Sequence, residues 1–183
     1  MIAKGSTLLS TLDFVEREAG VDVRDRALAR LAPAERGRLT GVVPTDEVPL
    51  DVAVALWRAV DAELGATDPT WIERAGAHSI AGAGQQGYRG ILRKSTPAEF
   101  LTQGVSLFRL YYHPGNMEVV EQAPGRAVLR LVGFDVTDRL FCRRQTGGLR
   151  QALEIAGGES ASSHHVRCTQ EGDAFCEWEL GWR

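Results

Sequence analysis

The chain lacks most of the features that declare a function at once. Only two of its 21 basic residues are lysine (Lys4 and Lys94), and 24 acidic residues leave a net charge of −3. No excess of positive charge supplies the field expected of a general nucleic-acid or anionic-membrane binder. No apolar run approaches the ~18–20 residues that span a bilayer. Met1 to Ser6 has no charged stretch followed by an apolar one, so no secretion signal and a cytoplasmic location are expected. Cysteine is scarce and odd in number, three in 183 residues. That disfavours a disulfide framework and leaves reduced thiols, a metal site, or both. Catalytic signatures are missing too: there is no Gly-x-Ser-x-Gly elbow, His-Glu-x-x-His helix or Walker loop. Asp135 and Asp138 read as solvated surface or a helix N-cap rather than a catalytic pair.

What is present suits one domain over 1–183. A hydrophobic content of 44% supplies a core, which rules out disorder as the main description. Ser6-Thr7 can cap a helix carrying Leu8, Leu9, Leu12 and Val15. A second helix follows Gly20 and ends at Pro33; Pro33 to Arg38 reads as a turn. Leu50 to Leu64 places Val52, Leu56 and Val60 in helical register, and a block rich in small residues follows from about Pro69 to Arg93. Within it Gly82-Ala-Gly84-Gln-Gln-Gly87 spells GxGxxG, but no strand precedes it, so a dinucleotide site is rejected. Gly82, Gly84, Gly87 and Gly90 read instead as sites of close helix packing or a loose segment beside a cavity. Another helix runs from Pro97 to Tyr112.

After Gly115 the period changes from helix to strand. Met117–Gln122 and Arg126–Val132 are joined by Ala-Pro-Gly as a hairpin. A helix covers Asp138 to Ala156, and Ala161–Thr169 and Phe175–Trp182 form two more strands. The fold class is therefore α+β: N-terminal helices over 1–114, packed on an antiparallel sheet of order β-β-α-β-β over 115–183. Trp178 and Trp182 share parity with Cys176 and Leu180 on the last strand. They face either the core or a subunit interface.

All three cysteines lie in the last 42 residues, with His164 and His165 among them. A turn centred on Gly172 sets Cys168 opposite Cys176, at the ~4.5–5.5 Å Cβ separation of directly opposed strand residues. Cys142 can add a third sulfur and an imidazole a fourth ligand, the closed tetrahedral set of structural zinc. His165 and Cys168 differ by three, so an ideal strand points them to opposite faces. A bulge or a strand beginning at Val166 removes the conflict, whereas His164 has the better parity. Buried thiols, or a Cys168–Cys176 disulfide, are the plainer readings.

The ending from His165-Val-Arg-Cys168 through Cys176-Glu-Trp178 to Trp182 resembles the C-terminal signature of the 4-vinyl reductase domain family. That family belongs with haem nitric-oxide-binding domains and TRAPP-complex subunits in a wider superfamily. Lys4-Gly5-Ser6, Tyr111-Tyr112-His113-Pro114-Gly115, the Pro-Gly hairpin and Gly133-Phe134 extend the resemblance to stand-alone bacterial members. It implies a structural zinc held by Cys142, His165, Cys168 and Cys176, with imidazole in place of a carboxylate. It also implies a ligand cavity between helices and sheet. Tyr88, Phe108, Tyr111, Tyr112 and Phe134 are the candidate lining residues, with Phe100 beside them; ordinary core packing is the alternative for each.

The wider superfamily raises haem, with His78 or His113 as axial ligand. No Tyr-x-Ser-x-Arg arrangement for the propionates is found, so haem is set aside and zinc is the expected cofactor. The function expected is a non-catalytic sensor of a small hydrophobic or aromatic ligand. It would signal through a separate protein partner and form a homodimer, without nucleic acid or membrane. An assembly module without a natural ligand and an enzyme of pigment or aromatic metabolism are the alternatives.

Overall fold

The computed structural model describes residues 1–86, 96–104 and 108–183. The chain opens with β1 (Ile2–Lys4), α1 (Gly5–Ala19), α2 (Val21–Arg30), α3 (Pro33–Leu39), β2 (Glu47–Pro49) and α4 (Leu50–Leu64). Next come α5 (Trp71–Gln86), α6 (Pro97–Gly104), the single turn α7 (Phe108–Tyr111) and β3 (Tyr112–His113). The chain ends with β4 (Asn116–Ala123), β5 (Arg126–Val132), α8 (Arg139–Ile155), β6 (Ser162–Arg167), a 3-10 turn (Thr169–Glu171) and β7 (Glu177–Gly181). Two antiparallel sheets result, one in the order β2-β1-β3 and one in the order β4-β5-β7-β6. The α+β architecture is the one the periodicity implies. No helix among the described residues is long and apolar enough to cross a membrane.

Periodicity explains the large elements. On α4, Val52, Leu56 and Val60 repeat at four-residue spacing and are buried together with Trp57, whose indole N–H donates to Thr11 Oγ1 of α1 at 3.3 Å. On β5, Ala127, Leu129 and Leu131 alternate with more exposed neighbours, as a strand with one covered face requires. Gly125, at φ +75°, supplies the left-handed residue that the Pro-Gly turn between β4 and β5 needs. Trp178 has no exposed surface and donates to Thr146 Oγ1 of α8 at 3.0 Å, so it fills the core.

Several local expectations need correction. Pro33 opens a helix instead of a turn. Proline presets φ at the first helical position, and Glu35 Oε2 accepts the Ala32 N–H at 2.9 Å. Ser6 and Thr7 lie inside α1, because Ile2–Lys4 is already a strand. Tyr112 and His113 pair with Ala3 and Ile2 in the small sheet and do not end a helix. Strands of two or three residues carry too little alternation to be read from sequence. The last part of the expected helix to Arg93 falls outside the described residues.

Asp138 fixes the start of α8, where Oδ1 accepts the Leu140 N–H at 2.8 Å and Oδ2 lies 2.6 Å from Arg58 Nε of α4. Asp138→Ala is expected to lower unfolding stability by about 1 kcal/mol, the usual loss for an N-cap. Urea denaturation measures it; an unchanged midpoint would show that the cap carries no weight.

Candidate metal centre and cavity

The C-terminal hairpin is built so that four soft ligand atoms meet. Cys142 sits in the first turn of α8, anchored by the Asp138 cap. His165 lies on β6, its ring stacked on Trp178 at 4.6 Å between centroids. The pairing of β6 with β7 shifts by one residue between His165 and Arg167, a bulge at Val166. That irregularity removes the parity conflict and turns Cys168 to the same side as His165. Cys168 then opens a tight turn: its carbonyl accepts from Glu171 and Asp173, and its own N–H donates to Asp173 Oδ2 at 2.8 Å. Cys176 precedes β7, tied to β5 through Leu131 N–H at 3.0 Å.

The ligand atoms of Cys142, His165, Cys168 and Cys176 all lie within 4.8 Å of one another. Cys142 Sγ and Cys176 Sγ are 3.6 Å apart, and all three cysteines are buried and free. That separation is far beyond the ~2.05 Å of a disulfide. It matches the edge of about 3.8 Å of a tetrahedron with 2.3 Å metal–sulfur arms. Thr169 supports the site from outside, its N–H and hydroxyl each 3.4 Å from Cys176 Sγ. His165 Nε2 is buried with no hydrogen-bond partner. His164, the alternative by parity, is exposed opposite Glu179 and outside the group.

The thiols are electrostatically unequal. The Cys142 thiol hydrogen-bonds to Cys176 and, with His165 and Thr169 nearby, pulls Cys176 down to about 4 against the opposing effect of burial. The same contact, reinforced by burial, pushes Cys142 up. Burial raises Cys168. One thiolate is thus accommodated without a cation, and a second or third calls for one.

A separate cavity of about 70 Å³ lies between α5, α6, α7, α8 and the sheet. Its wall includes Ile80, Phe100, Leu101, Met117, Leu129 and Leu149, with the Gln145 amide as a polar group. Of the residues expected there, Phe108, Tyr111 and Tyr112 line it. Phe134 stands behind them, 5.4 Å from Phe108 and stacked on Phe141 at 4.9 Å between centroids. Tyr88 lies outside the described residues.

Sequence reasoning missed three things here. Gly76 and Gly147 let α5 and α8 cross closely: a Cβ on Gly147 would sit 1.8 Å from Glu73 O, whereas one on Gly82 of the GxGxxG string would meet nothing within 4 Å; the surroundings of Gly84, Gly87 and Gly90 lie outside the described residues. Arg144 is buried beside the cavity. A cluster of Thr7, Ser10 and Ser79 faces it. The polar residues inside otherwise apolar helix faces were the available signal.

No family model and no curated protein sequence matches the chain. Its structure is similar to solved haem nitric-oxide-binding (H-NOX) proteins. The Fe(II) unliganded H-NOX protein from K. algicida superposes with a TM-score of 0.75 at 14% identity, covering 98% of this chain and 96% of that one. The S. oneidensis H-NOX protein in the Fe(II)NO ligation state gives 0.75 at 16% identity, covering 98% and 99%. A haem protein studied for the effect of porphyrin distortion on haem redox potential gives 0.70 at 13%, covering 98% and 95%.

The chain has the H-NOX fold. The resemblance to the 4-vinyl reductase family is corrected accordingly. It rested on the C-terminal hairpin and on short motifs spread along the chain, whereas the likeness to H-NOX structures lies in the three-dimensional arrangement of 98% of the chain. The cofactor expectation is corrected with it: haem was set aside in favour of zinc, yet haem figures in the solved proteins of this fold, and a Cys/His cluster is a weaker pointer than that. Its fit here can be read from the residues. His78 Nε2 is 2.6 Å from Asp13 Oδ2, His113 is paired in β3, His164 is exposed and His165 joins the thiols. None of the four lines the cavity, where, among the described residues, Tyr111, Tyr112 and Met117 are the side chains of a type able to ligate iron. Its 70 Å³ is also well under the ~300–1,000 Å³ of pockets for drug-sized ligands. The described residues do not fit a histidine-ligated haem.

Proposed function

We propose that the chain is a small-molecule sensor domain whose ligand occupies the cavity between α5, α7, α8 and the sheet. The cavity carries this reading: an apolar space with one amide suits a small, largely apolar molecule. Occupancy shifts the balance between conformations of the surrounding helices, and a separate protein partner reads that shift. The Cys/His group has a different role. Three thiolates and an imidazole close a tetrahedral shell with no position left for substrate, so a soft divalent ion there is structural and pins the β6–β7 hairpin to α8.

Ala152, buried on the cavity wall, provides the test. Butyramide, a small neutral probe, should raise the unfolding temperature of the unaltered protein in a concentration-dependent way. Ala152→Leu, which fills the space, should remove that response. A response that survives the substitution would place binding elsewhere, and no response in either protein would count against the sensor reading.

Metal uptake should also release protons. Cys142 and Cys168, both raised, are protonated at neutral pH, whereas Cys176, near 4, is already a thiolate. Two protons leave for each ion bound, so affinity falls as pH falls, by about 100-fold per unit between pH 8 and 7. Competition titration with a chelator at the two values measures the slope. A slope near zero would contradict coordination by these thiols.

A further inference from the structure

The strongest unexplained feature is a buried cation. Arg144 on α8 is 3% exposed. Its Nη2 donates to Ser10 Oγ at 3.2 Å, and its guanidinium lies 5.6 Å from the centre of the Trp57 ring. Nη1 is fully buried with no hydrogen-bond partner, and among the described residues no carboxylate forms an ion pair with Arg144. Thr7 Oγ1, also buried, is without a partner as well. Both residues line a pocket of about 40 Å³ together with Ser79 and Gln145. An uncompensated guanidinium in such a place is costly, and native proteins resolve the cost by pairing it.

The pocket adjoins the apolar cavity. Ile80, Tyr111, Tyr112, Gln145 and Gly148 line both. Side by side, the two offer a ligand an apolar body and a cationic end. A guanidinium fork matches a carboxylate in plane and in spacing, and the charge-assisted pair is strongest where water is excluded. At about 30 Å³ for each water-sized group, the two adjoining spaces of about 40 and 70 Å³ together hold about four such groups, the size of a short-chain acid.

We infer that the ligand of this domain is a short-chain carboxylic acid, its carboxylate held by Arg144 and Thr7 and its apolar chain directed towards Leu149 and Met117. The inference rests on the sensor reading and adds the charge and size of the ligand to it. Binding of the anion neutralises Arg144 at the crossing of α5 and α8, which gives the ligand a direct hold on helix packing.

Isothermal titration with butyrate, butyramide and chloride tests it. Butyrate should bind at least 30-fold more tightly than butyramide, and chloride should neither bind comparably nor compete strongly. Arg144→Met should abolish the preference for butyrate while leaving weak butyramide binding. Equal affinity for the two organic probes would overturn the carboxylate assignment and leave the sensor reading standing. Chloride as tight as butyrate would reduce the site to a simple anion site and also overturn it. Failure of both organic probes would sink both readings. The comparison of probes on the unaltered protein stands even if Arg144→Met does not fold.

Discussion

On the proposed metal site, Cys176→Ser is expected to abolish binding of the structural ion and to lower the unfolding temperature by about 10 °C or more. The size follows from what the ion holds together. Cys176 and Cys168 belong to the hairpin and Cys142 to α8, so a single ion would add a covalent-like tie to segments otherwise joined by packing, the Trp178–Thr146 hydrogen bond and the Arg139–Glu171 ion pair. Structural metal contributes of order 10 kcal/mol of binding free energy in small metal-dependent folds. Even a third of that is a large share of ordinary domain stability, and each 1 kcal/mol moves the midpoint by about 2–4 °C in a chain of this length. Burying a serine hydroxyl in place of a thiol adds a smaller loss of its own. A chelator separates the two. Treated with chelator, the unaltered protein should fall to within a few degrees of the variant, and added Zn²⁺ should restore only the unaltered protein. A chelator without effect, in protein shown by elemental analysis to hold no metal, would make the four residues a packed thiol cluster.

Gly147→Ala is the second large effect, and its sign is the opposite of what helix propensity alone gives. Alanine is favoured over glycine by about 1 kcal/mol in a helix interior. At position 147, however, the added carbon would lie 1.8 Å from the carbonyl oxygen of Glu73 and 2.5 Å from its carbon. Both are backbone atoms of α5, which no rotamer change moves. The reciprocal contact, Gly76 against Arg144 O at 2.1 Å, leaves the opposite side equally tight. The helices must separate, and overpacking of this kind costs about 3 kcal/mol or more, exceeding the propensity gain. A net loss of about 2 kcal/mol is expected, read as a midpoint lower by about 4–8 °C. Gly82→Ala is the control, since nothing lies within 4 Å of its added carbon; it should be neutral or stabilising by up to about 1 kcal/mol. Equal effects at the two positions would refute the close crossing.

The sequence made the large elements legible because they are long enough for a period to repeat: Val52, Leu56 and Val60 on α4, Ala127, Leu129 and Leu131 on β5. The short strands β1, β2 and β3 left no such trace, and a helix-starting proline was taken for a turn. The four Cys/His positions were legible by residue type. Whether His165 rather than His164 joins them depends on a one-residue bulge at Val166, a property of the pairing of two strands and not of either alone. The 4-vinyl reductase resemblance gives way to the H-NOX likeness for a related reason. The Cys/His hairpin is a compact local pattern, while at 13–16% identity the likeness to H-NOX structures resides in the arrangement of helices and sheet. Arg144 escaped notice because an arginine on an amphipathic helix is ordinarily solvated, and only the crossing of α5 over α8 buries it.

The proposed ligand sits between these helices and the sheet. Methyl-labelled protein with butyrate or its amide tests it most directly, by nuclear Overhauser effects between probe protons and the methyl groups of Ile80, Leu101, Leu129 and Leu149. Cross-peaks to these four are expected, and none to Val21 or Val43, which are exposed elsewhere on the surface. Binding without cross-peaks to the four, or cross-peaks confined to surface methyls, would contradict it.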